Sequence, residues 1–200
     1  ELAFTDGKAK SNGVNNAEMP VSAMSLVNLT WNNRLTWDGK NKTLEEQALV
    51  PMQNHLEMNQ DATITAQILA QTKEYPALFE KAFGSKEITP QKITKALAQF
   101  ERTLISKNSK YDKHLRGEYK ATESELRGIQ LFFTHPDAER GIRGGNCGDC
   151  HLGTLTSRST LGFEGLHNNG LDNDQNLKNG LFAVTQNRFD KGKFRTPSLR

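Results

Sequence analysis

Residues 145–153 read GNCGDCHLG and hold both cysteines of the 200-residue chain. Gly148 and Asp149 separate Cys147 from Cys150, and His151 follows the second thiol directly. C-x-x-C-H is the attachment signature of c-type haem. The chemistry explains the spacing. Two thiols add across the two vinyl groups of a porphyrin, the intervening pair sets their separation, and the adjacent imidazole reaches the iron from one side. Three other readings are weaker. A thioredoxin-like redox pair has the same C-x-x-C but belongs beside a βαβ pattern, which is absent here. A zinc site needs a fourth ligand beyond Cys147, Cys150 and His151. Distant His167 could supply it, but three ligands packed into five residues make a poor tetrahedron. A disulfide between these cysteines closes almost no loop and stabilises little. The expectation is covalent haem c on Cys147 and Cys150, with His151 as the iron ligand.

The second axial position stays open at this stage. Small electron carriers often place a methionine downstream, yet Met19, Met24, Met52 and Met58 all lie upstream of His151. Either the position is free, or it is filled by His167, by an upstream group or by something past Arg200.

Composition narrows the class. Hydrophobic residues make up 35% of the chain and the net charge is +3. No run approaches the roughly 18 apolar residues of a membrane span, so the chain is expected not to be transmembrane. The opening ELAFTDGKAK has neither a basic n-region nor an apolar h-region, so any leader has been removed or left out. Basic residues are broken up by acids, as in NRFDKGKFR, and no basic stripe for nucleic acid is present. The two propionates of a haem would bring the net charge down by about two.

Along the chain, residues 1–59 are rich in Gly, Asn and Lys and read as loops and short helices. From Thr63 the spacing of Ile64, Ile68, Phe79 and Phe83 predicts two helices divided by Pro76 and stopped by Gly84. Thr89 and Pro90 form an N-cap and first helical position. Ile93, Ala96, Leu97, Phe100 and Leu104 form one apolar face behind them. The polar stretch SKNSKYDKHLRGEYKAT follows as a connection. Thr122 and Glu125 then match a capping box, and Leu126, Ile129 and Phe133 line one face of a helix that ends near Pro136. Residues 137–200 show little periodicity and no strand pair, so something other than side chains is expected to fill their core.

Upstream motifs, taken in order, resemble the bacterial di-haem cytochrome c peroxidase family, which includes the methylamine-utilisation di-haem enzymes. Trp37-Asp38-Gly39-Lys40, Leu44-Glu45-Glu46-Gln47-Ala48, Pro51 and Asn54-His55-Leu56-Glu57-Met58 resemble the region after the family's first haem. ALAQFERTLIS with SKYD, GIQLFF and the closing FRTPSLR are also similar, and AFTDG resembles the segment just past the first C-x-x-C-H. The resemblance covers nearly all 200 residues.

The resemblance implies a mostly α, loop-rich c-type cytochrome fold, di-haem peroxidase-like. Residues 1–58 would be the remainder of an N-terminal peroxidatic haem domain and inter-haem linker. Residues 59–200 would be a truncated, helical C-terminal electron-transfer haem domain. On this reading the chain is a fragment, with a second haem expected in the full protein. The implied reaction is reduction of hydrogen peroxide to water. Glu57 would be the pocket carboxylate that moves a proton between the two oxygens, Gln47 would hydrogen-bond into the same pocket, and Trp37 would relay electrons. On the residues alone, Glu57 and Gln47 read equally as ordinary helix polar groups and Trp37 as core. The expected partners are a small redox donor protein of cytochrome c or cupredoxin type and a second copy in a homodimer, with no nucleic acid. The expected location is periplasmic or otherwise exported. Alternatives are a non-enzymatic electron-transfer cytochrome or subunit, and a di-haem oxidase of a protein or organic substrate.

The sequence departs from the family pattern in two places. His55 stands where a proline is usual. VSAMSLVN, residues 21–28, lacks the usual Arg-Asn-x-Pro, so Ser22 replaces an asparagine that the family uses for calcium. Carbonyls near Thr196 and Pro197 would be the remaining oxygen donors for that ion.

Overall fold

The computed structural model describes residues 2–153, 155–158, 160 and 164–200. The chain forms two compact units, Glu1–Leu104 and Ile105–Arg200. It is mostly helical and loop-rich, as expected.

In the first unit, loops and two 3-10 turns lead into four helices: α1 (Leu44–Gln53), α2 (Ala62–Gln71), α3 (Tyr75–Phe83) and α4 (Pro90–Thr103). Their starts follow from local chemistry. Thr43 and Glu46 form a reciprocal capping box on α1, Asp61 accepts two amides at α2, and Thr89 caps α4 ahead of Pro90. Pro76 sits in the first turn of α3 and Gly84 ends it in the left-handed region, which matches the predicted division. One apolar cluster joins Met52, Ala62, Ala66, Phe79, Ile88 and Ile93. A second joins Leu29, Leu35 and Leu44 to Ala98, which is fully buried.

The buried faces differ from the ones the periodicity suggested. Ile64 and Ile68 are more than half exposed, as is Phe100, while Ala62, Ala66, Thr94 and Ala98 are buried. Small side chains let helix axes approach closely. The stripe that α4 buries is therefore the small-residue one beside Ile93, and the bulkier Leu97–Phe100 face lies turned away from it. No residue of α6 is buried, and Leu126 and Phe133 are exposed.

The second unit contains α5 (Lys110–Leu115), α6 (Glu123–Phe133), a 3-10 turn at Cys147–Asp149, β1 (Leu166–His167), α7 (Phe182–Thr185) and β2 (Phe194–Arg195). The Thr122–Glu125 capping box starts α6 as predicted. Two elements correct the sequence reading. The polar connection contains α5, nucleated by a Ser109–Asp112 capping box. β1 and β2 pair antiparallel, with Leu166 opposite Arg195 and His167 opposite Phe194. Two-residue strands are too short to show a period, and their partners are brought together only by tertiary structure.

The division at 104/105 differs from the 58/59 boundary taken from the resemblance, because α1 before that boundary and α4 after it share one cluster. The two boundaries describe different things: packing in one case, haem-domain membership in the other.

Among the described residues, the second unit buries few large apolar side chains, among them Leu155, Leu166 and Leu181. It is held in part by an ion pair. The Arg200 guanidinium donates to both oxygens of Asp112 at 2.8 and 2.6 Å, with side-chain exposures of only 7% and 9%. Arg200 holds the Asp112 carboxyl well below the usual carboxylate range, against the opposing effect of burial and with help from Ser109. Breaking a buried pair from one side leaves an uncompensated charge and costs about 3–5 kcal/mol. Asp112→Ala should therefore lower the unfolding free energy, read from urea titration, by about that amount. Because the folded-state pKa is depressed, this stability is fully present above about pH 4 and falls as pH drops below it. The wild type should lose stability with acid over that range more steeply than Asp112→Ala, measured by urea titrations from pH 5 to pH 2.

Candidate haem site and candidate catalytic residues

The C-x-x-C-H segment docks on the end of α6. The Gly145 amide donates to the Leu131 carbonyl at 2.7 Å and the Asn146 amide to Thr134 at 3.2 Å. A Cβ on Gly148 would lie 2.8 Å from the Phe133 ring, so only glycine permits this approach. Asn146 opens the 3-10 turn in the left-handed region, and its Nδ2 donates to Asp149 at 2.7 Å. The turn carries Cys147 and Cys150, both half-buried free thiols. The His151 amide donates to the Cys147 carbonyl at 2.8 Å, which closes one turn around the motif.

His151 Nδ1 lies 2.8 Å from the Thr156 carbonyl oxygen. A carbonyl only accepts, so Nδ1 carries a proton, and in the neutral ring Nε2 then presents a lone pair. That is the tautomer an iron ligand needs, with its other nitrogen held by a backbone oxygen. Thr156 is fixed in the left-handed region at φ +52°. Its Oγ1 accepts from the Leu199 amide at 3.0 Å, and Ser198 Oγ donates to the preceding carbonyl of Leu155 at 2.8 Å. A threonine in this conformation is unusual, and these bonds to residues 198 and 199 hold it there. Sequence reasoning missed Thr156, since nothing in its immediate neighbours signals a carbonyl aimed at an imidazole.

Beside this segment, a cavity of about 590 Å³ is lined by Arg158, Glu164, Leu166, His167, Asn168 and Lys193. Its volume falls in the range of roughly 300–1,000 Å³ typical of cofactor sites. His167 hydrogen-bonds Thr196 Oγ1 at 2.9 Å. Burial, then the charges of Arg158 and His151, hold His167 below the ordinary histidine range. Two free thiols, an imidazole in the ligating tautomer and an adjoining cavity fit a covalent haem. Among the described residues, no group of three or more His, Cys, Asp or Glu side chains could hold a metal ion, so the alternative zinc cluster finds no support there.

Glu57, Gln47 and Trp37 all belong to the first unit. Gln47 lies on α1, and its Oε1 is buried with no hydrogen-bond partner among the described residues. Past the end of α1 the chain turns back on itself, with the Met58 amide donating to the Pro51 carbonyl at 3.1 Å and Gln60 to Met52 at 2.8 Å. This turn carries Glu57, which is half-buried. Asn54 Nδ2 donates to Glu57 Oε2 at 2.9 Å, and the Asn54 side chain also accepts from the Leu56 amide at 3.1 Å. The Val14 amide donates to the Glu57 carbonyl at 2.6 Å. Sequence reasoning did not single out Asn54 for this role, although an asparagine two residues before the amide it accepts from is an Asx-turn signal. His55 is solvent-exposed on the same turn. Trp37 is half-buried, and its Nε1 donates to the Ser22 carbonyl at 2.9 Å.

A family profile described as di-haem cytochrome c peroxidase matches residues 1–120. This chain belongs to the di-haem cytochrome c peroxidase family. The cytochrome c551 peroxidase of Nitrosomonas europaea is 34% identical over 203 residues, covering 100% of this chain and 56% of that protein. The methylamine utilization protein MauG of Methylophilus methylotrophus is 35% identical over 177 residues, covering 88% of this chain and 49% of that protein. A crystal structure of a MauG-like protein associated with microbial copper homeostasis superposes with a TM-score of 0.80 at 34% identity, over 99% of this chain and 60% of that one. The chain thus spans about half the length of the curated relatives it matches. Its C-x-x-C-H lies beyond the residues matched by the di-haem peroxidase profile but inside the span shared with the Nitrosomonas relative.

Sequence reasoning also overlooked Gly13. A Cβ there would lie 1.7 Å from the Leu56 carbonyl oxygen and 2.8 Å from the Glu57 Cα. Both are backbone atoms and cannot swing aside. Gly13→Ala should displace the Glu57 turn and lower the unfolding free energy by about 1–3 kcal/mol, measured by urea titration.

Proposed function

We propose that this chain is the part of a di-haem peroxidase that binds one covalent haem c through Cys147, Cys150 and His151. We further propose that it supplies the residues that handle protons during reduction of hydrogen peroxide to water. The observation that carries the reading is the 34% identity to a cytochrome c551 peroxidase over the whole of this chain. Haem, when bound, supplies an iron centre that passes electrons singly.

The residues divide the remaining work. His151 would ligate through Nε2 while Thr156 keeps the proton on Nδ1. Cleaving the peroxide O–O bond requires moving a proton from one oxygen to the other, with two further protons and two electrons completing two waters. Glu57 suits the transfer. Its Oε2 accepts from Asn54, which fixes the carboxylate plane and leaves Oε1 to take and return the proton. Gln47 Oε1 would accept from a peroxide or water O–H, and this is the partner its buried oxygen requires. Trp37, pinned by its bond to Ser22, would serve as an oxidisable indole held in one orientation.

The electrons would come from a small cytochrome c or cupredoxin, and the protein would work outside the cytoplasm as a homodimer with a second haem. Among the described residues no helix is long and apolar enough to cross a membrane. Calcium, as a further cofactor, would depend on backbone oxygens. Among the described residues no cluster of acidic or histidine side chains is built for it, and the Ser22 carbonyl already accepts from Trp37. A second reading, oxidation of a protein or organic substrate, is favoured by the 35% identity to a methylamine utilization protein.

Intact mass of the full-length protein should show two covalent haems. Glu57→Gln should retain both and lower kcat for peroxide by about 10²–10⁴. Unchanged peroxide turnover in that variant removes Glu57 from the mechanism. Wild-type protein with two haems and no peroxide turnover would leave substrate oxidation as the better reading.

A further inference from the structure

Arg195, on β2, is 7% exposed. Its Nε and Nη1 atoms are buried without a hydrogen-bond partner among the described residues. Burial alone pulls its pKa down to about 10, so the guanidinium remains charged at neutral pH. A lone buried cation is strongly unfavourable unless an anion is paired with it.

The second unit's other cations near this strand already have partners. Lys193 pairs with Asp190 at 2.8 Å and Arg200 with Asp112 at 2.6 Å. Arg158 donates to the Asp149 carbonyl at 2.8 Å through Nη1, while its Nε is buried without a partner among the described residues. None of Thr154, Ser159, Leu161, Gly162 and Phe163, which lie outside the described residues, is acidic. No described residue of this chain is the hydrogen-bond partner of Arg195 Nε and Nη1, and a bound anion would match them. The strand register places Arg195 directly across from Leu166. Leu166 lines the 590 Å³ cavity together with His167 and Lys193. The haem expected on the neighbouring Cys147–His151 segment carries two carboxylates, and a guanidinium fork matches a carboxylate with two parallel hydrogen bonds.

We infer that Arg195 is the ionic partner of a haem propionate, a positioning residue that sets the charge balance around the iron held by His151. The inference rests on the haem reading proposed above. Compensating the propionate disfavours the ferric state, so removing the guanidinium favours it.

The test uses full-length holoprotein and spectroelectrochemical titration. Arg195→Leu should shift one haem's one-electron equilibrium at least tenfold toward the oxidised form, about 59 mV. Arg195→Lys, which keeps the charge, should stay within threefold of wild type. An unchanged equilibrium in Arg195→Leu, with haem attached, overturns the inference. So does an equal shift in Arg195→Lys, because charge would then not be the cause. If Arg195→Leu does not accumulate with haem, Arg195→Lys decides. Holoprotein with a wild-type potential supports the pairing, and loss of haem or a fallen potential overturns it. Haem absent from the wild type by intact mass would instead fail the haem reading itself.

Discussion

The hydrogen bond from His151 Nδ1 to the Thr156 carbonyl constrains the haem segment more than any other contact. It selects the imidazole tautomer, and it requires a threonine in a backbone conformation that threonine disfavours. Bonds from residues 198 and 199 to Leu155 and Thr156 maintain that conformation. The five-residue motif is therefore only the visible part of a larger arrangement. A turn after it, a carbonyl and a segment about 40 residues on act together to present one nitrogen lone pair.

The first unit fixes a carboxylate by different means. Among the described residues, no cation hydrogen-bonds the Glu57 carboxylate. Its side chain is oriented by Asn54 and its backbone is seated against Gly13 and Val14. A neutral amide partner orients the group through one hydrogen bond. The same preference for geometry over charge is seen at Trp37, whose indole is tied to a backbone carbonyl.

The helix starts were legible in the sequence because caps are local. Thr89, Thr122 and Pro90 announce α4 and α6 within four residues of chain. The cysteine motif was legible for the same reason. The buried faces were less so. Ile64, Ile68 and Phe100 fit a helical period, yet alanines occupy the contacts between helices, since close approach rewards small side chains and periodicity counts large ones. α5 has few apolar residues to reveal it. Thr156 and Gly13 matter through partners distant in sequence, and no local pattern records such partners. The resemblance supplied the family and the order of motifs, while the side-chain partners of Glu57 and His151 came from the structure.

The ion pair between Asp112 and Arg200 joins residues 88 positions apart, and the bond from Leu199 to Thr156 joins residues 43 apart. Contacts of such separation carry the largest loop-closure entropy and form late in folding. The helices of the first unit, joined by short connections, can collapse without waiting for them. Until residues 198 and 199 dock, the bonds that fix Leu155 and Thr156, and with them the carbonyl that holds the His151 imidazole, are absent.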